Sequence, residues 1–181
     1  MAPRHRALRS NDIAYKPSAV MVLLCEDEKG QTFIPLTKRH AYSGAHSAQV
    51  SLPGGKYDER DEDLLNTAKR ECFEEIGIAE LEVIGKLSSL HIPVSGFLVQ
   101  PFVARCLVKN PQFTLQEREV QRLLKLNPFS LLDENTRKEG YIDLGAGQKI
   151  YCPWFEVEQE KVWGATAMML SEFKEILKTI Y

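Results

Sequence analysis

Three glutamates in one short segment are the residues of this chain best suited to chemistry. Arg70-Glu71-Cys72-Phe73-Glu74-Glu75-Ile76 carries them, and on a helix turning about 100° per residue Glu71, Glu74 and Glu75 share an arc of roughly 100°. Leu64, Leu65, Ala68, Cys72 and Ile76 occupy a neighbouring arc, so one side of the helix anchors in a core while the next presents carboxylates. Carboxylates this crowded repel one another, and their pKa values rise unless cations compensate. Hard divalent ions, Mg²⁺ or Mn²⁺, take oxygen ligands and share their coordination with substrate phosphates. A metal held there polarises phosphoryl oxygens, orients a diphosphate and lowers the pKa of a bound water. The Pro53-Gly54-Gly55 turn brings backbone close to the helix start, where a carbonyl can complete the shell. The competing reading is a solvated acidic face with Lys69 and Arg70 as local partners.

The elements that must position these residues follow from pattern. Ala19–Cys25 and Phe33–Thr37 read as strands joined by the polar turn Glu26–Gln31. The short apolar run Val50–Leu52 precedes the Gly54-Gly55 turn, and the acidic loop Lys56–Asp63 leads into a helix over Leu64–Ile76, stopped by Gly77. Leu81–Leu90 and Phe97–Val108 read as further strands with a loop at Ile92–Gly96 between them. Glu119–Leu126 is ambiguous between strand and helix, and Asn127-Pro128 ends it before a short helix at Phe129–Asp133. Tyr141–Leu144 and Lys149–Phe155 suggest a hairpin. The chain closes with a helix from Ala165 to Ile180, with Met169, Leu170, Phe173, Ile176, Leu177 and Ile180 at helical spacing. Strands in the middle flanked by helices predict an α/β sandwich around a mixed sheet.

Bulk properties bound the partners. At 181 residues, with 44% hydrophobic and 27% charged, the chain suits one domain over 13–181 behind a loose segment at 1–12. A net charge of −2 with mixed signs argues against a nucleic-acid footprint, but not against a small anionic substrate that a bound metal neutralises. No apolar run is long enough to span a membrane. Cys25, Cys72, Cys106 and Cys152 are far apart and form no CxxC pair; buried free thiols in a reducing cytoplasm are the expectation.

Arg70 to Ile78 matches the Nudix signature R-E-U-x-E-E-x-G-U at every fixed position. Glu62 stands eight residues before Arg70, where the signature's earlier glutamate belongs, and Gly55 precedes it by seven positions instead of six. The chain thus resembles the Nudix hydrolases, with one extra residue in the loop. That resemblance implies an α/β/α sandwich and metal-dependent hydrolysis of a nucleoside diphosphate linked to another group. It further implies that Glu71, Glu74 and Glu75 bind metal or handle the water, that Arg70 orients a glutamate, and that a carbonyl at Gly54 is a metal ligand. Glu119 looks like the later acidic residue that joins such sites.

Leu36-Thr37-Lys38-Arg39, then His46-Ser47-Ala48-Gln49-Val50-Ser51-Leu52-Pro53-Gly54-Gly55, resembles the coenzyme A pyrophosphatase subgroup, with its L-T-x-R and H-x-G-Q-V-x-F-P-G-G elements. Val162–Ala167 resembles the closing motif of that subgroup. Gly44 replaces an arginine usual between the first two elements, Ala48 a glycine and Leu52 a phenylalanine; loss of the arginine removes a possible phosphate contact. Coenzyme A or acyl-CoA, cut to a phosphopantetheine product and 3′,5′-ADP, is the substrate this implies. Arg39, His46, Gln49 and Lys56 are then candidate substrate-binding residues. Another dinucleotide such as NADH or ADP-ribose is the alternative, a non-catalytic nucleotide-binding module a second, and a homodimer is left open.

Overall fold

The computed structural model describes residues 15–40, 49–145 and 147–180, so the expectations for 1–12, Gly44, His46 and Ala48 lie outside the described residues. Its centre is strand β1 (Lys16–Glu26), which alternates between two apolar layers. Ala19, Met21, Leu23 and Cys25 face one cluster and Val20, Val22 and Leu24 the other, as the two-residue period of a strand dictates. A strand buried on both faces needs a layer on each side, and two helices supply them.

On one side, α1 (Leu64–Ile76) lays Ala68, Cys72 and Ile76 against Met21 and Leu23. Asp63 caps its first turn by accepting a hydrogen bond from the Asn66 amide at 2.7 Å. Gly77 ends it in the left-handed region at φ 75°, a conformation with little cost only for glycine. On the other side, α2 (Gly164–Ile180) buries Ala167, Leu170, Phe173 and Leu177 in the larger cluster with Val22, Ile34 and Leu36. The result is an α/β/α sandwich, as expected.

β1 pairs in parallel with β7 (Phe97–Cys106) along one edge. Its other edge is shared. Near its start it pairs with β4 (Gly54–Lys56), and only at its end with β2 (Thr32–Arg39). β2 also carries β3 (Val50–Ser51) and β8 (Val120–Leu126), both antiparallel. The ambiguous 119–126 segment is therefore a strand. Leu81–Leu90 is not one strand but two, β5 (Leu81–Lys86) and β6 (Leu90–Ile92), both antiparallel to β7 and interrupted after a bulge at Val83–Gly85. β7 stops at Cys106, short of Val108. Gly54 and Gly55, expected as a turn, are the first residues of β4. The short helix after Asn127 is a 3-10 turn at Pro128–Leu132.

A second sheet lies beside the first. β9 (Arg137–Gly145) and β10 (Gln148–Val157) form the expected hairpin, and β11 (Glu160–Trp163), absent from the sequence reading, pairs with β10. Phe155, Val157 and Val162 join the larger core cluster, so this sheet and α2 share one core with β1 and β2.

Candidate active site

Arg70 organises the carboxylates of α1. Its guanidinium donates through all five N–H groups: Nε and Nη2 to the two oxygens of Asp61 at 2.7 and 2.9 Å, Nη1 to Glu71 and Glu74 at 2.9 Å each, and Nη2 also to the Lys56 carbonyl at 3.0 Å. The carboxylate that takes two of these bonds is Asp61, while Glu62, the signature's earlier glutamate, is exposed. A tight turn, with the Asp61 amide donating to the Asp58 carbonyl at 2.8 Å, turns residue 61 inward. Thr67 Oγ1 and the Asp58 amide donate to the same Asp61 oxygen at 2.9 and 3.0 Å. Arg70 and these donors hold the Asp61 carboxyl well below the usual carboxylate range.

Asp61 is 5% exposed, so its pair with Arg70 is a stability element. We expect Asp61→Asn to lower unfolding stability at pH 7 by roughly 3 kcal/mol, as removal of one partner from a buried pair does. A carboxyl whose folded pKa is depressed contributes stability above its unfolded value, about 3.9, and loses it as pH falls below that. Thermal melts from pH 7 to pH 3 should show the native chain losing more stability than the asparagine variant. Parallel pH profiles would contradict this role.

Glu75 is the most enclosed carboxylate, at 2% exposure. Burial pushes it up to about 7, with Arg39 and the Gly54 amide opposing and Glu71 and Glu119 adding. Its partners are distant for an ion pair: Arg39 Nη2 donates to Oε1 at 3.2 Å and the Gly54 N–H to Oε2 at 3.3 Å. Burial likewise raises Glu71, against Arg70 and together with Glu74 and Glu119. Glu74 lies at the rim, 53% exposed. Glu119 is exposed in the turn before β8, near enough for its charge to be felt by both buried glutamates.

The two glycines of β4 permit this closeness. A Cβ on Gly55 would collide with the Glu71 carboxylate, and one on Gly54 with the Ala19 carbonyl and Val20. Only residues without side chains let β4 lie between β1 and the helix.

The other candidates divide. Arg39 reaches the site, as its contact with Glu75 shows. Gln49 is half-buried beside it, its carbonyl accepting from the Arg39 amide at 3.1 Å. Lys56 is exposed, its carbonyl serving Arg70 while Nζ lies 5.7 Å from the Phe97 ring centroid. His46 lies outside the described residues. Sequence reasoning missed Asp61, which the loop's internal Asp58–Asp61 spacing could have suggested.

Three sequence-remote segments meet on β3. Thr37 Oγ1 lies 3.2 Å from Ser51 Oγ, and Thr166 Oγ1 donates to the Val50 carbonyl at 3.2 Å. Residues 36–39, 50–55 and 163–167 are thus braced together just ahead of the glycines. A cavity of about 340 Å³ between β10, β11 and α2, lined by Trp154, Trp163, Met168 and Lys174, contains none of the site carboxylates. Trp163 is only half-buried there, and its cross-strand neighbour Trp154 is the buried ring.

Among the described residues no three His, Cys, Asp or Glu side chains converge as a ready-made metal cage. The donor set still suits a hard cation. It consists of carboxylates, two of them raised by burial despite Arg70 and Arg39 beside them, and an ion such as Mg²⁺ keeps waters and borrows phosphate oxygens to fill its shell.

The NUDIX domain profile matches residues 15–144 of the chain. An uncharacterized Nudix hydrolase, NudL, of Yersinia enterocolitica is 33% identical over 140 residues, covering 75% of this chain and 69% of that protein. The backbone is similar to that of RenU, a Nudix hydrolase from M. smegmatis, at a TM-score of 0.63 and 16% identity, covering 92% of this chain and 88% of that one. It is also similar to the NUDIX domain of Shewanella oneidensis NrtR, solved with ADP ribose, at a TM-score of 0.51 and 19% identity, covering 70% and 79%. At these identities the two structural likenesses concern the fold.

Proposed function

The chain belongs to the Nudix hydrolases, pyrophosphohydrolases of nucleoside diphosphate derivatives, and from that premise we propose that it hydrolyses the diphosphate bond of coenzyme A or an acyl-CoA. The observation that carries the substrate reading is the contact of residues 36–39, 50–55 and 163–167 on β3. These are the segments that resemble the coenzyme A pyrophosphatase subgroup, and their mutual bracing makes them parts of one structural unit.

Glu71 and Glu75, with the Gly54 carbonyl and Glu74 at the rim, would hold the divalent cation. When bound, that cation neutralises phosphoryl charge and lowers the pKa of a coordinated water. Arg70 fixes Glu71 and Glu74 through one nitrogen, so the two carboxylates need no reorganisation on substrate binding. Arg39 sits where it can leave Glu75 for a substrate phosphate. Glu119, across from α1 at the start of β8, is the candidate to hold a proton from the attacking water. Gln49 and His46 would border the nucleotide, and Lys56 offers positive charge to a 3′-phosphate.

No helix among the described residues is long and apolar enough to cross a membrane, and we place the enzyme in the cytoplasm with a small nucleotide as its partner. The test is kcat/KM for coenzyme A, 3′-dephospho-coenzyme A, NADH and ADP-ribose at equal Mg²⁺, with products identified by mass. Coenzyme A should lead. If ADP-ribose or NADH exceeds it by more than about tenfold, a difference of roughly 1.4 kcal/mol in transition-state binding, the substrate is the other dinucleotide and the hydrolase reading stands. ADP ribose in the NUDIX domain of NrtR makes that the specific second reading.

A further inference from the structure

Behind α1, on the side away from the carboxylates, three of the four cysteines come together although they are far apart in sequence. Cys25 ends the inward-facing series of β1, Cys106 is the last residue of β7, and Cys72 projects from α1; all three belong to the same apolar cluster. β1 and β7 run in parallel with Leu24 opposite Arg105, so the next pair in register is Cys25 beside Cys106. Adjacent strands lie about 4.8 Å apart, inside the range of roughly 4.4–6.8 Å between Cα atoms that a disulfide spans. Both side chains point to the α1 face, where Cys25 lies in the apolar cluster and Cys106 packs against it. Cys25 is 1% exposed, whereas Cys106 is only half-buried. Cys106 is thus the more accessible residue of the two, and its register neighbour is sealed in the core.

We propose that Cys25 and Cys106 are an oxidisable pair, in which a hydroperoxide attacks at Cys106 and Cys25 then closes an intramolecular disulfide beneath the catalytic helix. In the first step the Cys106 thiol takes an oxygen atom from the hydroperoxide, giving a sulfenic acid and releasing the alcohol, or water from hydrogen peroxide. In the second, Cys25 sulfur attacks Cys106 sulfur, the S–OH bond breaks, and hydroxide leaves as water with the Cys25 proton. Two thiols are oxidised by two electrons and one hydroperoxide is reduced. Burial holds the Cys25 thiol well above its ordinary range, so closure is slow, and the pair records sustained rather than brief exposure. Cys72 faces the pair from α1, one residue from Glu71. The bond ties together the two strands on which the helix rests.

Peptide mapping tests this on the native chain. Cleavage after Lys and Arg puts the four cysteines in four separate peptides: Cys25 ends at Lys29, Cys72 lies in 71–86, Cys106 in 106–109 and Cys152 in 150–161. The reduced protein is treated with hydrogen peroxide, unfolded, alkylated and digested without reductant. The expected product is the Cys25 peptide joined to residues 106–109, lighter by two hydrogens than the separate reduced peptides and released by dithiothreitol. Cys106→Ser should abolish it, and in Cys25→Ala the sulfenic acid should advance to sulfinic acid. Cys25 recovered fully alkylated while Cys106 is oxidised, or Cys106 joined to Cys72 or to a second chain, overturns the proposal. Hydrolase activity does not enter this readout, so its outcome is separate from that of the proposed function.

Discussion

Glu75→Gln is expected to lower kcat by on the order of a thousandfold or more, roughly 4 kcal/mol, while the protein stays folded. The side chain is 2% exposed, so an isosteric amide keeps the packing while removing the charge and one of the two acceptor oxygens. Folding should not suffer, because a carboxylate that burial pushes up to about 7 is a strained ion. Neutralising it is neutral or slightly stabilising in a thermal melt. Arg39 loses its long contact, but at 31% exposure it can turn to water. Catalysis should collapse because Glu75 is the desolvated oxygen donor that faces both Gly54 and Arg39. The measurement is kcat with KM alongside it. A fall in kcat without a matching rise in KM marks an interaction made in the transition state. A loss smaller than about tenfold, near 1.4 kcal/mol, would assign the chemistry to another carboxylate.

The same glutamate shows what the sequence could and could not disclose. Helical spacing put Glu71, Glu74 and Glu75 on one arc, and the helix runs from Leu64 to Ile76 with Gly77 as its cap, as read from the pattern. Periodicity cannot say that Glu74 lies at the rim while Glu75 is buried, because that depends on β4 lying over the helix. β4 itself was hidden. Gly54-Gly55 carries a turn signal, yet the glycines serve a strand squeezed between β1 and Glu71.

Asp61 was hidden for a different reason. Counting back from Arg70 leads to Glu62, but the longer loop folds through an Asp58–Asp61 turn and presents the preceding residue. β11 gave no signal because the turn before it places Glu158 and Gln159 at positive φ, 48° and 68°. Neither residue announces a hairpin as glycine or asparagine would. The cysteine expectation held in part: among the described residues none of the four forms a disulfide, but only Cys25 and Cys72 are buried. Sequence separation concealed that register brings Cys25 next to Cys106.

Removal of divalent cation is expected to abolish turnover, and Mg²⁺ or Mn²⁺ to restore it. Among the described residues the donors gathered at the site are oxygens, with Glu71 and Glu75 pushed toward protonation by burial, against the opposing charges of Arg70 and Arg39. Arg70 cannot supply positive charge to Glu75, since its five N–H groups are committed to Asp61, Glu71, Glu74 and Lys56. Arg39 supplies part of it through a 3.2 Å contact. A cation would complete the neutralisation, and no preformed cage is needed if water and phosphate oxygens fill its shell. Binding to the folded state alone should therefore stabilise it even without substrate, by about 2.7 kcal/mol at a hundred times Kd. Thermal melts of chelator-treated protein with and without Mn²⁺ read this apart from catalysis. The native chain should gain several degrees, and Glu75→Gln much less, because a neutral amide is a poorer ligand for a hard ion. Full turnover in a chelator-treated sample would sink the reading of these carboxylates as a metal platform. A melt unchanged by Mn²⁺, with turnover still dependent on it, would instead mean that the ion arrives with the diphosphate.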